Sequence, residues 1–254
     1  MKFSVLASGS KGNSSFIETS HTKILVDLGV TSGNVEKKLK SMDIEPSSIE
    51  AIVITHTHVD HINGLRVFIK KFHPTLYLSE TMYHELSTSI HIEKYEIIDG
   101  DFSISDIHVE VFKTSHDTSD SNGYIFEAYG KSLVYVTDTG YINVKYHKKL
   151  QNKTFYIMES NHDVELLMHG RYPYHLKQRI IGDKGHLSNK DSAYYLSKFV
   201  GEETKGIVLI HLSEENNREE VALETLHKNL EKASKQVDQI IVAHQTERTE
   251  LIDV

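Results

Sequence analysis

A histidine-rich segment directly after a short apolar run constrains this chain more than any other feature. Ala51–Ile54 is apolar, as expected of a buried strand, and it is followed by Thr-His-Thr-His-Val-Asp-His. Side chains two apart in an extended segment point the same way, so His56 and His58 can bind one ion. Asp60 and His61 lie where the chain is predicted to turn into a helix, so they can face a second ion. The pattern therefore predicts one side of a two-metal site.

A histidine-rich surface turn is the alternative interpretation, because the chain has 17 histidines and some will cluster by chance. We favour the metal site because four side chains that can bind metal fall within six residues. They also follow directly on a run that favours a buried strand. A metal site requires further ligands from elsewhere in the chain.

The composition limits which side chains can hold a metal ion. There is no cysteine, so neither a disulfide framework nor a thiolate ligand can form, and His, Asp or Glu must supply the ligands. The lack of cysteine and of any apolar run of about 18 residues favours a cytoplasmic protein without a membrane span. The 254 residues contain no linker and no fixed repeat, which predicts a single domain over residues 1–254.

The formal net charge of −8 argues against broad electrostatic adhesion to nucleic acid. A nucleic-acid substrate is still compatible with it, because two divalent ions would concentrate positive charge at one point. Two basic stretches could guide a phosphate backbone or could form a solvated face. They are Lys145, Lys148, Lys149 and Lys153, and Arg171, Lys177, Arg179 and Lys184. Arg171, Lys177 and Arg179 of the second stretch lie in Leu167–Ile181, where aromatic and basic residues mix as they do in single-strand binding surfaces or in protein interfaces.

Short apolar runs bounded by turn residues predict strands, and periodic apolar residues predict helices. The predicted strands are Lys2–Ala7, Ser15–Thr19, Lys23–Asp27, Ala51–Ile54, Thr75–Leu78, Ile107–Lys113, Tyr124–Tyr129, Leu133–Thr137, Thr154–Met158, Gly206–Ile210 and Val237–Val242. The predicted helices are Gly33–Met42, His61–Lys71, Asp191–Phe199 and Asn217–Ala233. This order favours an α+β fold with two mixed sheets packed together and helices outside, a four-layer αββα sandwich.

Three residues at the ends of predicted strands complete a ligand set. His116, Asp138 and His211 each follow an apolar run, where a ligand would be held rigidly. In the simplest assignment, one ion is bound by the three histidines His56, His58 and His116. The other is bound by Asp60, His61 and His211, and Asp138 bridges the two ions.

Imidazole and carboxylate ligands suit Zn²⁺ and also Mn²⁺ or Fe²⁺. Seven ligands for two ions leave open positions for a water and a substrate oxygen. Two-metal sites of this kind activate water and stabilise both oxygens of a displaced ester. The ligand set therefore predicts a hydrolase with two divalent metal ions.

The order of these residues resembles the metallo-β-lactamase superfamily across essentially the whole chain. The shared pattern is H-x-H-x-D-H, followed by His, Asp and His at strand ends. The resemblance implies the αββα fold, with the metal ions at the sheet edges between the layers. It also implies that the chain is similar to the members of the superfamily that bind two metal ions. The chain differs from two other groups of the superfamily. The flavodiiron oxidoreductases have Glu where this chain has His58. The classical lactamases use a cysteine ligand, and this chain has no cysteine.

Further motifs resemble the YycJ (WalJ) branch of that superfamily. They are Ser8–Ser15 (SGSKGNSS), Glu159–Asp163 (ESNHD), Gly185–Asn189 (GHLSN) and His211–Asn217 (HLSEENN). The resemblance implies metal-dependent 5′→3′ exonuclease activity on DNA and a role in DNA repair. DNA is then the expected partner, RNA stays open, and the oligomeric state is not predicted.

These motifs also provide candidate catalytic and substrate-binding residues. Similar nucleases of the superfamily place a histidine that is not a ligand before the last metal-binding histidine, which implies that His186 holds the scissile phosphate and protonates the leaving oxygen. Glu159 is expected to orient His186 by a hydrogen bond, and Asp60 is expected to act in catalysis as well as in metal binding. A hydrogen bond at a helix end is the alternative role for His186. The candidates for substrate contact are Ser8, Ser10, Asn13, Asn161 and Ser188, the first three in a loop that could cradle a phosphate or be a plain turn.

Two other functions fit parts of the pattern. The ligand set alone also suits a small-molecule metallohydrolase, such as a cyclic phosphodiesterase, thioesterase or lactonase. A scaffold that binds metal without catalysis is the third class, and it is disfavoured because a scaffold needs no open coordination positions.

Overall fold

The computed structural model describes residues 1–254, and its strands form two seven-stranded sheets. Six strands of the first sheet come from the first part of the chain: β1 (Lys2–Ala7), β2 (Ser14–Glu18), β3 (Lys23–Val26), β4 (Ala51–Val53), β5 (Thr75–Leu78) and β6 (Tyr95–Ile97). The second sheet consists of β7 (Phe102–Ile104), β8 (Ile107–Lys113), β9 (Asn122–Ala128), β10 (Lys131–Val136), β11 (Phe155–Glu159), β12 (Gly206–Ile210) and β13 (Gln239–Val242). The chain then returns to the first sheet with β14 (Ile252–Asp253).

Both sheets change from antiparallel to parallel pairing along their width. In the first sheet, β14, β1, β2 and β3 pair antiparallel, and β3 to β6 pair parallel. In the second sheet, β7 to β10 pair antiparallel, and β10 to β13 pair parallel. Because parallel strands end at the same edge, the loops after β3, β4, β10, β11 and β12 can be gathered there.

Nine α-helices accompany the sheets. They are α1 (Ser32–Lys40), α2 (Val59–Ile62), α3 (Leu65–Phe72), α4 (Glu80–Ser87), α5 (His147–Leu150), α6 (Val164–His169), α7 (Tyr174–Ile181), α8 (Asn189–Phe199) and α9 (Glu219–Lys232). No helix is long and apolar enough to span a membrane.

Three buried apolar clusters separate the layers. The central cluster lies between the sheets and joins Phe3 and Ile24 of the first sheet to Phe126 and Phe155 of the second. A second cluster covers the outer face of the second sheet with α8 and α9, and a third covers the outer face of the first sheet with α1, α3 and α4. These layers confirm the predicted αββα sandwich. We interpret the shared central cluster as a single domain over residues 1–254.

The predicted elements lie close to the observed ones, with one correction and several omissions. Thr75–Leu78, Ile107–Lys113 and Gly206–Ile210 match the observed strands residue for residue. The predicted helix His61–Lys71 is wrong as a single element, because the chain forms α2 and then, after a break at Gly64, α3. The short elements β6, β7, α4, α5, α6, α7 and β14 were not predicted.

Gly29 allows two loops of the site to approach each other. A Cβ atom at this residue would lie 1.6 Å from the carbonyl oxygen of Asp60, far inside contact distance. Around this point Leu28 N–H donates to the His61 carbonyl and Asn13 N–H donates to the Asp60 carbonyl, both at 2.8 Å. The turn that carries Asp60 and His61 is therefore held against the loop after β3 by backbone contacts.

We predict that Gly29→Ala lowers the free energy of unfolding by about 3 kcal/mol or more, because backbone atoms would have to move. Gly33→Ala is the matched control, since a Cβ atom at this helical glycine meets nothing within 4 Å. The control should raise the free energy of unfolding by up to about 1 kcal/mol. Urea unfolding of both variants measures the difference, and equal stabilities would contradict the assigned role of Gly29.

Candidate metal centre

The candidate ligands lie at one edge of the two sheets, where the parallel strands end. His56, His58 and His61 follow β4 of the first sheet. Asp138 follows β10 and His211 follows β12 of the second sheet. Each sheet therefore supplies part of one cluster, and the relative position of the sheets fixes the distances within it.

Three histidines form the first group of possible ligands. One ring nitrogen from each of His56, His58 and His116 lies within 4.8 Å of the others. His58 Nδ1 is 3.2 Å from His116 Nε2, and the His56 ring is fully buried. The structure thus brings together the three residues that were expected to bind one ion.

The Asp138 carboxylate lies between the histidines of the two sheets. Its Oδ2 atom is 2.6 Å from His61 Nε2 and 3.3 Å from His56 Nε2, and its Oδ1 atom is 2.7 Å from His211 Nδ1. The side chain is buried, and the histidines His61 and His211 hold the pKa of this carboxyl well below its usual range although burial opposes the charged form. Asp138 therefore has the position expected of a bridging carboxylate.

Asp60 is more exposed than Asp138 and lies at the rim of the same cluster. Its Oδ2 atom is 3.7 Å from His61 Nε2 and 3.9 Å from His211 Nε2. Asp60, His61 and His211 were expected to hold the second ion, but they do not form a close group: His61 converges with His56 and Asp138, and Asp60 lies nearby at these distances.

The buried nitrogens of the cluster fit a metal ion. The Nε2 atoms of His56 and His211 are buried and have no hydrogen-bond partner within the chain. An unpaired polar atom of this kind costs about 1–3 kcal/mol, a cost that a coordinate bond removes. Imidazole and carboxylate donors that converge in this way are a site for divalent metal.

Glu159 and His186 form a pair beside Asp138. His186 Nδ1 is 2.7 Å from Glu159 Oε1, and the same oxygen is 2.9 Å from His211 Nδ1. Burial opposes the charged forms of both residues, but their attraction raises the pKa of His186 to about 9 and lowers the pKa of Glu159 to about 2. The predicted contact between Glu159 and His186 is present.

The sequence interpretation missed Asp27, a buried carboxylate behind the ligands. Its Oδ2 atom is 2.7 Å from His61 Nδ1, and the backbone N–H and hydroxyl of Thr55 donate to the two carboxylate oxygens at 2.8 and 2.7 Å. The contact fixes the His61 ring with Nε2 toward Asp138. Asp27 also follows a strand, β3, so a search of strand ends before the histidine segment would have found it.

The five candidates for substrate contact divide into two groups. Ser10 and Asn161 line a cavity at the cluster. Ser8, Asn13 and Ser188 are buried behind its wall, and their polar atoms are used within the chain: Ser8 Oγ accepts from His211 N–H, Asn13 Nδ2 is 3.0 Å from His61 Nε2, and Ser188 caps α8. The expectation that these three side chains contact substrate is therefore corrected: they hold the residues of the site in position.

The cavity above the cluster has a volume of about 320 Å³. Candidate ligands and His186 form its floor, and its walls come from the loops at Ser10 and Ser213 and from α7 with the segment after it. Arg179 and Lys184 of the second basic stretch line this cavity. In the first stretch, Lys149 and Lys153 instead form ion pairs with Glu110.

Comparisons with known proteins agree with this arrangement. Residues 22–212 match the model of the beta-lactamase superfamily domain. The chain is 39% identical over 239 residues to the exodeoxyribonuclease WalJ of Streptococcus pneumoniae, covering 91% of this chain and 89% of that protein. It is 36% identical over 252 residues to the exodeoxyribonuclease YycJ of Bacillus anthracis, covering 97% and 96%. The chain therefore belongs to the beta-lactamase superfamily, in the branch of WalJ and YycJ, as its motifs predicted.

Solved structures share the fold at low sequence identity. The metallo-beta-lactamase fold protein YhfI of Bacillus subtilis superposes with a TM-score of 0.72 at 14% identity, over 98% of this chain and 99% of that chain. Zn²⁺-bound PqqB of Methylobacterium extorquens gives 0.72 at 15% identity, with both chains covered completely. These likenesses confirm the predicted fold.

We predict that Asp27→Asn weakens divalent metal binding by about 10–100-fold, because the amide cannot accept all three hydrogen bonds. Asp43→Asn is a matched control, since Asp43 is exposed and has the same left-handed backbone angle, φ 59°. Competition with a chelator measures the affinity of each variant. Equal affinities of the Asp27 variant and the wild type would show that Asp27 does not support the ligands.

Proposed function

We propose that this protein is a metal-dependent phosphodiesterase that degrades DNA from the 5′ end. The observation that carries the proposal is the identity of 36–39% to proteins named exodeoxyribonuclease, over more than nine-tenths of this chain. The geometry of the site supports ester hydrolysis in general, and the relatives narrow the substrate to DNA. The DNA-repair role and the cytoplasmic location stay predictions.

The ligand set supports two ions. His56, His58 and His116, which converge, would hold one. Asp60, His61 and His211 would hold the other, with Asp60 within 3.9 Å of both histidines, and Asp138 would be shared between the two ions. Zn²⁺ or Mn²⁺ suits these donors, and Fe²⁺ is compatible with them. Such ions supply an activated water and neutralise the charge that develops on phosphorus-bound oxygens.

We assign to His186 the protonation of the leaving oxygen, and the position of its ring supports this role. Its ring lies on the floor of the cavity, partly exposed, and its Nδ1 atom faces Glu159. With Nδ1 engaged, Nε2 is the ring nitrogen left to donate a proton. The carboxylate stabilises the protonated ring and fixes its orientation, as a general acid requires.

Glu159 connects the proton donor to a ligand. Its Oε1 atom contacts both His186 and His211, and its Oε2 atom accepts from the backbone N–H groups of Thr139 at 3.0 Å and Leu187 at 3.2 Å. Glu159 therefore ties the loops of Asp138, His186 and His211 into one unit, and we assign it a positioning role.

We predict stepwise digestion of DNA by the wild type and none by Asp138→Ala or His58→Ala, because each of these variants loses a ligand. Purified protein is incubated with 5′- or 3′-labelled duplex DNA, single-stranded DNA and RNA in the presence of Mn²⁺ or Zn²⁺. For 5′→3′ digestion, a 5′ label is released at once as a mononucleotide, while a 3′-labelled strand shortens gradually. Metal content is measured for each protein.

The opposite pattern of the two labels would overturn the polarity. If no nucleic acid is cleaved although two ions are bound per chain, the protein is instead a small-molecule hydrolase. A nitrophenyl phosphodiester and a thioester then separate the remaining substrate classes.

We predict that His186→Ala retains both ions but lowers kcat by about 10²–10⁴-fold, the usual contribution of a general acid. His91→Ala is the control, because His91 is exposed and lies outside this cavity. A DNA strand with a sulfur-substituted leaving oxygen needs little protonation and should restore most of the lost rate. Full activity of His186→Ala on ordinary DNA would exclude the general-acid role.

A further inference from the structure

Helix α7 forms a fixed wall of the cavity. Leu176, Arg179 and Ile180 face the cavity at helical spacing. Lys177, on another face of the helix, is buried, and its ammonium group donates to the carbonyls of Met168 at 2.7 Å and Gly170 at 2.8 Å. At the other end, His186 N–H donates to the Ile180 carbonyl at 2.9 Å. These bonds fix α7 relative to the His186 loop.

Arg179 projects from this wall toward the first histidine group. Its Nε atom donates to Asp117 Oδ2 at 2.5 Å, and the other oxygen of Asp117 lies 3.4 Å from His116 Nε2 and 3.9 Å from His58 Nε2. One carboxylate therefore separates the guanidinium from two candidate ligands. The terminal amino groups of Arg179 have no partner within the chain, and 62% of the side chain is exposed.

We propose that Arg179, held by Asp117, is a subsite for the backbone phosphate next to the phosphate that is cleaved. A guanidinium offers a planar pair of donors that matches two phosphate oxygens, and Asp117 leaves that pair free because it engages only Nε. The ion pair also fixes the side chain before substrate binds, which lowers the entropic cost of the contact. This inference rests on the proposed nuclease function. It identifies the neighbouring backbone phosphate as the part of the substrate that the cavity wall binds.

The subsite has a consequence for substrate selection. A substrate with one phosphate can reach the metal ligands but has nothing for Arg179 to bind. A nucleic-acid strand presents a further phosphate beyond each bond that is cleaved, except the last one. Arg179 therefore favours a chain of nucleotides over a simple diester.

The test compares single-stranded DNA with bis(p-nitrophenyl) phosphate, which carries only one phosphate. For Arg179→Gln we expect the ratio of kcat/KM for DNA to that for the diester to fall about tenfold, mainly through KM. The slope of log KM against log salt concentration should decrease by about 0.7, the value for one phosphate contact on a single strand. Arg66→Gln is the matched control, since Arg66 is an exposed helical arginine outside this cavity.

Arg179→Lys separates charge from geometry. The lysine keeps one positive charge but loses the paired donors. The slope of log KM against log salt concentration should therefore stay near the wild-type value, while the ratio of kcat/KM for DNA to that for the diester falls severalfold. If Arg179→Gln does not fold, as judged by circular dichroism and metal content, the lysine variant decides alone.

Three results would overturn the subsite. An equal loss for both substrates would mean that Arg179 only supports the fold or the ligands. An unchanged ratio and salt slope would mean that it does not contact phosphate. A wild type that cleaves the diester but no nucleic acid would overturn the proposed function and this inference together. The first two results would overturn only the subsite and would not affect the proposed nuclease function.

Discussion

The burial of one carboxylate, that of Asp138, is the constraint on which the site depends. Removing a charge from water costs several kcal/mol unless opposite charge or hydrogen bonds replace the water. Here His61 approaches one oxygen from the first sheet, and His211 approaches the other from the second sheet. The sheets are thus joined by an apolar core through most of their interface and by a polar contact at one edge. Displacement of either sheet would separate Asp138 from His61 and leave the buried carboxylate with His211, which belongs to the same sheet, as its partner.

Three residues around this contact share an unusual backbone conformation. Asp27, Asp138 and His211 have φ angles of 59°, 49° and 58° at the ends of β3, β10 and β12. Left-handed geometry costs residues with a Cβ atom roughly 1–2 kcal/mol, so the surrounding contacts have to hold it in place. The buried hydrogen bonds of Thr55, Glu159 and Ser8 provide such contacts. The rigidity of the site thus comes from residues that would not touch an ion or a substrate.

Local sequence patterns predicted most of the strands and the candidate metal ligands. They could not predict contacts between residues that are far apart in the chain. The histidine segment was recognisable because four donors fall within six residues, and the strands around it because apolar runs alternate with turns. Asp117 and Arg179 are 62 residues apart, and no spacing in the sequence indicates their contact. Ser8 and Asn13 were interpreted as substrate contacts in a loop that could cradle a phosphate, but both side chains are buried and contact His211 and His61. A short helix such as α7 contains too few turns for its periodicity to be distinguished from a loop.

The position of β14 has a consequence for biosynthesis. This strand follows every other element in the chain, and it pairs with β1 at the edge of the first sheet. During translation, the second sheet is therefore complete before the first has its outermost strand. In that interval β1 exposes unpaired backbone groups of the kind that invite pairing with other chains. A nascent chain that stalls after β13 would be more prone to aggregation than the finished protein, although all the candidate ligands had already been made.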